Sequence, residues 1–556
     1  LAQIQTSPVF EGSNLRPLTV SGSVGLSANM YQAWGIQNRR APASFQTEAN
    51  LNFSVFGLSS GLDLMYSTDQ SRLRQNLNSL GFNATWKWLT VQVGDVSPSL
   101  SKYGISGATV RGGDIKINPG NWQLELSGGR SKRRVAPSTK PGFRQSAFER
   151  MSFAGKIGYE TENNHYSISS HYSVDKNQSF NHPVNNTPKE NFTVTPNVQI
   201  GLFNQALTLA GEVTASAFTR DLNSPKIPQN SIKIPGFLTG IMRPHTSSRL
   251  NYAGQASADL EMDQFGLKLG YERIQPGFNS LGVGRVRDDQ QNIRISPSFQ
   301  LFQNKLTFQG NLSLGRDNLL GTRLQTQKNT NVGTNIQLSL TNQININANY
   351  NLLINNVSSD ASTGSSTSQG VALGQKQTTH TLTLQPSLTF QNDDLTHSIS
   401  LTGSYYTLTN KFKGNQSLSR QQINTNTYSG AISYSLSFGS GLSLNTSGNF
   451  LENNSNASQS ISVGANIGGS YSLFDRKLTL SFNGGVNQIK NKITRSGQSR
   501  ISTKTRQLMF NLTGNLQLSN KDSFSLSVRN RYNMVLRNRG TTYAELEGSL
   551  NYQHRF

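Results

Sequence analysis

The chain has 556 residues, 34% of them hydrophobic, and a mean hydropathy of −0.48. No apolar run approaches the roughly 18–20 residues that a membrane-spanning helix needs, so helical spans are excluded. The lack of cysteine excludes disulfides and Cys-based zinc or iron–sulfur sites, and 51 Lys and Arg against 29 Asp and Glu give a formal charge of +22 that calls for an anionic surface or partner.

A hydrophilic average is compatible with a membrane when strands do the crossing, because only every second residue then faces lipid. The opening "LAQIQTSPVFEG" has no basic or apolar region of a signal peptide, and "LAQ" is consistent with the remnant of a cleaved one. Residues 1–17 read as a short periplasmic segment and 18–556 as the barrel, beginning with a strand over Leu18–Tyr31. No folded plug is expected ahead of Leu18.

Two kinds of connection alternate along the chain. Twelve short turns, from Gly57–Ser60 to Asn520–Asp522, are mostly rich in Asn, Asp, Gly or Ser, and Lys87–Leu89 is the exception. The others are longer, polar and often basic, clearest at Ser131–Phe148, Lys176–Glu190, Asp221–Ser248, Gln275–Asp288, Asn356–Gln377 and Lys411–Gln422. Short turns at one end and long loops at the other are the pattern of an outer-membrane barrel, whose short turns lie in the periplasm. Twelve turns join about 24 strands, and one more at each terminus predicts an all-β, antiparallel transmembrane barrel of about 26 strands (22–28).

Taken in chain order, the first distinctive stretch is "VGDVSPSLSKYGISGATVRGGDIKI", Val93 to Ile117. Its Gly94-Asp95, Ser/Tyr-containing loop, Gly107 and Val110-Arg111-Gly112 resemble a strand–loop–strand element of outer-membrane secretion barrels, including pilus ushers and the type 9 translocon of Bacteroidota. Next comes the densest basic cluster, Arg130, Lys132, Arg133, Arg134, Lys140 and Arg144, with no acid before Glu149. On a surface loop it is a candidate anion-binding site for lipopolysaccharide phosphates or an acidic partner; a merely solvated loop is the plainer alternative.

The loop over Asp221–Ser248 carries four prolines and more apolar residues than a solvated loop needs. Lys226, Ile232, Lys233, Phe237 and Arg243 are therefore candidates for a segment that folds into the lumen or contacts a partner. "YERIQPGFNSLGVGRVRDDQQNIRISPSFQLFQNKLTFQGNLSLGRDNL", Tyr271 to Leu319, resembles a pattern in large Bacteroidota outer-membrane barrels, which implies lineage and location without catalytic residues. Within it Asp288-Asp289, with Asp317, could hold calcium, although solvated acids are the simpler reading.

A weak repeat of proline, strand, aromatic, turn and Leu-Thr links "TPNVQIGLFNQALTL" from Thr195, "SPSFQLFQNKLTF" from Ser296 and "QPSLTFQNDDLTH" from Gln385. Pro196, Pro297 and Pro386 each remove a ladder hydrogen bond, which predicts bulges or local loosening. Phe203, Phe302, Phe390, Phe438 and Phe474 precede short turns, and Trp86, Trp88 and Trp122 lie near others, as an interfacial aromatic girdle would.

Later strands alternate most cleanly. In "QININANYNLLIN", Gln343 to Asn355, Ile344, Ile346, Ala348, Tyr350, Leu352 and Ile354 share one strand face and Asn345, Asn347, Asn349 and Asn351 the other. Ile461–Leu473, Leu478–Val486 and Phe510–Leu518 repeat this. The final "AELEGSLNYQHRF" resembles the C-terminal signal of bacterial outer-membrane proteins, an alternating strand ending in an aromatic residue, which makes Leu550, Tyr552, His554 and Phe556 the candidate assembly signal.

The seven histidines show no compact metal spacing, and no GxSxG elbow has plausible partners, so neither metal, cofactor nor catalysis is expected. Nucleic acid is not expected either, since no motif organises the positive charge. The expectation is an outer-membrane passage or accessory subunit in macromolecular transport or membrane-protein assembly, in contact with lipid, lipopolysaccharide and other envelope proteins. The alternatives are a non-conducting scaffold or surface-attachment barrel whose lumen its own loops close, and a soluble secreted β-repeat protein.

Overall fold

A computed structural model describes residues 18–55, 57–68, 79–135, 146–176, 186–228, 240–359, 374–412, 423–495, 498–537 and 540–556. The expected N-terminal segment, 1–17, lies outside them. Twenty-six strands form one sheet, each antiparallel to its neighbour in sequence. The ring is closed by pairing Leu18–Trp34 with Tyr543–Arg555, in register from Ser23↔Arg555 to Trp34↔Ala544. At about 4.8 Å between strands and about 40° of tilt, the circumference is roughly 160 Å, equivalent to a circle about 50 Å across.

The alternation seen in the sequence places the side chains. Leu382, Leu384, Leu401, Ile432, Val463, Ile467, Phe510, Leu526 and Leu550 are exposed on the outer face of the protein. Register keeps apolar opposite apolar there, as in Ile346↔Pro386, Ala348↔Leu384 and Tyr350↔Leu382. A closed ring leaves no unpaired strand edge, and an apolar outer belt suits hydrocarbon; together they define a transmembrane barrel of the outer-membrane type.

One rim consists of tight turns throughout. At Phe203–Gln205, Phe302–Asn304 and Phe474–Arg476 three successive residues have positive φ, between 52° and 68°, and the phenylalanine at each tip is exposed. Positive φ is unusual for an aromatic residue, so the closing strands hold these turns in place. Lys87 takes φ 53° in the turn between Trp86 and Leu89, which forms without the Asn, Asp, Gly or Ser of the other turns.

The opposite rim is uneven. Strands from Ala43 to Asp317 that belong to the ring have 8–14 residues, whereas those from Gln325 to Arg537 have 14–20. Since about 9–11 residues cross a bilayer, the second group continues past the lipid as hairpins. Two of these close through connections as short as those on the turn rim, between Ser455 and Ser458 and between Arg495 and Gln498. Pairing at the three prolines decides between bulges and local loosening in favour of loosening. Register is unchanged across Pro196, Pro297 and Pro386, and each only interrupts the ladder to the following strand for two residues. Bulges lie instead near Arg130, Ile493 and Lys504. Each proline faces outward, where the missing donor leaves a gap without adding a residue, so the strand has no reason to shift.

Candidate functional site

Two connections on the long-loop side fold into the lumen. Residues 97–109 follow the strand Leu89–Val96, and residues 275–289 follow Phe265–Ile274. They meet in a two-residue parallel pairing of Ile105–Ser106 with Gly282–Val283, which stands apart from the ring. A Cβ on Gly282 would lie 2.4 Å from the Gly104 carbonyl oxygen and 2.6 Å from His171 Cε1, so only glycine allows this approach.

The pair docks on the wall between Arg150 and Ile274 through a small apolar core and a polar frame. Tyr103, Ala253, Ile274 and Phe278 form one buried cluster, with the Tyr103 and Phe278 rings edge to face at 6.3 Å; Leu100, Ile105 and Ala154 form a second. Around them the Lys102 N–H donates to Glu212 Oε1 at 2.8 Å, and the Lys102 ammonium reaches Gln255 Oε1 at 2.6 Å and Glu272 Oε1 at 2.9 Å. The Tyr103 hydroxyl donates to Glu272. Burial, with Glu272 beside it, pushes that phenol above its usual range and keeps it a donor. Ser280 donates to the Gly104 carbonyl at 2.6 Å, Ser216 to the Asn279 carbonyl at 2.6 Å, and the Leu281 N–H to Asn191 Oδ1 at 3.0 Å. Buried polar groups are tolerated where they are paired in this way, as Thr195 and Ser216 are on this wall; the buried His171 meets Ser173 Oγ through Nε2 at 2.8 Å, while its Nδ1 has no partner among the described residues.

The opposite wall has no such cover. Between Gln327 and Tyr532 the only fully buried described residues are glycines. The inward positions read Asn329, Asn331, Asn335 and Gln337, then Asn345 to Asn351 by twos, then Thr379, Thr381, Thr383 and Gln385, and further on Ser433, Ser435, Asn445, Ser447, Asn466 and Asn483. No acidic or basic side chain stands among the described inward positions from Asn329 to Ile493 or from Thr503 to Ser527. Neighbours bond along the wall, Asn351 Nδ2 to Asn331 Oδ1 at 3.0 Å and Ser462 Oγ to Asn487 Oδ1 at 2.7 Å, which fixes the amides while leaving capacity toward the lumen.

Charge returns at the seam. Arg39, Arg40, Arg529 and Arg531 share a cleft of about 150 Å³ with Glu545, Glu547 and Tyr31. The Tyr31 hydroxyl donates to Glu545 at 2.7 Å, Arg40 meets Glu547 at 3.0 Å and Arg39 meets Glu545 at 3.4 Å, all across the closing strands.

The residues singled out in the sequence are distributed differently. Lys226 bridges His245 at the base of its loop, both Lys226 and Arg243 are exposed, and Ile232, Lys233 and Phe237 lie outside the described residues. Among the described residues, the lumen is entered by 97–109 and 275–289. Apolar residues in polar loops, such as Leu100, Tyr103, Ile105 and Phe278, are the signal that could have found them. Arg130, Lys132, Arg133 and Arg134 stand at the rim, Arg130 half-buried and the others exposed; Lys140 and Arg144 lie outside the described residues. Lys176, 2.6 Å away, holds the Glu149 carboxyl beside this cluster below its usual range. Asp289 and Asp317 are taken by Arg323 at 2.7 Å and Arg287 at 2.9 Å, and Asp288 accepts from the Gly277 N–H, so these acids brace the inner loop. At the C-terminus Leu550 faces outward, Tyr552 and His554 both bond Asp522, and the Phe556 N–H donates to the Gly22 carbonyl.

No family model matches the sequence, and none of the curated proteins does. Among solved structures, the P pilus usher (PapC) translocation pore aligns over 97% of this chain and 99% of its own at 10% identity and a TM-score of 0.32. OccAB2 of Acinetobacter baumannii aligns over 73% and 97% at 12% identity and 0.30, and OccK5 (OpdH) of Pseudomonas aeruginosa over 66% and 93% at 12% and 0.29. Scores this low carry no argument of their own; the barrel rests on its strand ladder.

Proposed function

We propose that this outer-membrane barrel is a non-catalytic passage, or the passage-forming subunit of a larger assembly, for macromolecular transport or outer-membrane protein assembly. One observation carries the reading: a 26-stranded lumen is filled by its own described loops along one sector only. The facing wall is mainly hydroxyl and amide, with scattered apolar residues such as Leu353, Leu408, Leu451 and Met509 and no charged side chain among its described positions from Asn329 to Ile493. Such a lining is wetted without holding a charged or apolar solute tightly, as a path for a hydrated polymer requires. The secretion-barrel resemblance of Val93–Ile117 and the Bacteroidota-like pattern of Tyr271–Leu319 support the same direction. Partner proteins would meet the Asp221–Ser248 loop, and the Arg130–Arg144 cluster would meet anionic groups at the surface.

Single-protein conductance in planar bilayers tests the passage, and detergent-solubilised pull-down from native membranes tests the assembly. Large, weakly ion-selective steps support it; silent insertion of correctly folded protein would overturn it. Silence would favour the second reading, a closed scaffold, which the inward fold of 97–109 and 275–289 makes specific.

A further inference from the structure

Strand register exposes a feature that a passage does not use. Between Leu306 and Arg537 a cation is paired directly opposite another cation at three places on the long-loop rim: Arg316↔Lys328, Lys376↔Lys411 and Lys490↔Lys504, the last extended by Lys504↔Arg537. The pairs Arg111↔Arg130 and Lys132↔Arg150 elsewhere in the ring differ in that Asp95 and Asp175 neutralise Arg111 and Arg150. Like charges directly opposite in a strand pair are destabilising. None of the six cations in the three rim pairs takes part in an ion pair within the described residues. Arg506, two residues beyond Lys504, bonds only the neutral Gln488, at 3.3 Å, and Glu452, facing outward on the same rim, is occupied by Gln459 and Asn454.

All six share strand parity with the exposed apolar belt: Arg316 with Leu314, Lys328 with Ile336, Lys376 with Leu382, Lys411 with Leu401, Lys490 with Val486, and Lys504 with Leu508. They therefore point away from the lumen. They lie on the long-loop rim, two to six residues past the last large apolar side chain of each strand. At about 3.3 Å per residue and with the strand tilted, that is the depth of the headgroups.

We propose that these three pairs bind phosphates of an anionic outer-leaflet glycolipid, each pair holding its own molecule. A phosphate between two cations turns the repulsion into two charge-assisted contacts, while the belt below receives the acyl chains. The pairs are separated by three and five strands, roughly 14 and 24 Å at 4.8 Å per strand, too far apart for one phosphate to serve two. The inference stands whether or not the lumen conducts.

The test compares the full chain with Lys490→Gln/Lys504→Gln, with all six cations changed to Gln, and with a luminal control, Arg529→Gln/Arg531→Gln, which removes two charges from the inside. Each is purified in neutral detergent, folding is verified by heat-dependent gel mobility, and co-purified lipopolysaccharide is measured as phosphate per protein. The double variant is expected to retain about two thirds of the wild-type lipid and the sixfold variant almost none, with the luminal control unchanged. Heat resistance should move in opposite directions: the double variant equals or exceeds wild type in lipid-free detergent, where repulsion is relieved, and falls below it in lipopolysaccharide vesicles. Equal lipid retention by the sixfold variant, equal loss in the luminal control, or the same stabilisation from pyrophosphate alone would each overturn the proposal.

Discussion

The wall from Arg150 to Ile274 and the wall from Gln325 to Ser527 follow the same rule, apolar outside and polar inside, yet their inner faces are used in opposite ways. In the first, threonines, serines and Glu212 are buried partners, and Glu272 a half-buried one, of the protein's own loops. In the second, the same hydroxyls and amides face the lumen with nothing described upon them. The strands differ accordingly, short beneath the inward loops and long where hairpins carry the wall past the membrane. Inner polarity therefore marks where water or chain can lie, and acids placed to meet a loop, as Glu212 and Glu272 are, mark where chain does.

The contrast can be broken outright. Replacing residues 98–107 by a short Gly-Ser link should widen the free path and raise single-channel conductance by about twofold, with the ring intact. Unchanged conductance would show that the docked loops do not obstruct the path. Tyr103→Ala empties the core of the docked pair and should loosen it by about 3–5 kcal/mol, seen as new protease cleavage between 97 and 109 and as noisy conductance. On the open wall two adjacent residues separate the faces. Ile467→Lys, toward lipid, should cost about 2–4 kcal/mol in denaturant unfolding from vesicles, whereas Asn466→Lys, toward the lumen, should cost little and shift ion selectivity instead. The smallest effect is expected for Asn349→Asp, a reversal-potential change toward cations with stability within about 0.5 kcal/mol of wild type.

Much of the ring could be read from the sequence. Period-two alternation fixed the faces of strands such as Ile344–Ser359, and turn chemistry marked one rim, because both signals are local. The inward loops could not be read in this way. Tyr103 finds its place against Ile274 and Phe278, some 170 residues on, and no local pattern encodes which loop reaches which wall. The Pro- and Ile-rich stretch after Asp221 meets the same criterion of apolar residues in a loop, and its Ile232, Lys233 and Phe237 lie outside the described residues. The cation pairs were also hidden, since Lys490 and Lys504 become neighbours only once register is known. The "RNR" of Arg529–Arg531 and the "ELE" of Glu545–Glu547 are visible in the sequence as same-face charges, but only strand register sets them opposite one another.

The closing pair of strands joins Ser23 to Arg555, the longest sequence separation in the ladder. Every other neighbour is a hairpin that can zip as soon as it is made, so this contact bears nearly the whole loop-closure entropy of the chain and forms last. Before it forms, two unsatisfied edges face each other, and Tyr31, Arg39 and Arg40 on one side with Glu545 and Glu547 on the other can attract across the gap before backbone bonds form. Glu545→Gln/Glu547→Gln should therefore delay maturation of newly inserted protein more than it weakens the finished barrel, which makes the order of assembly, and not equilibrium stability, what that acid pair controls.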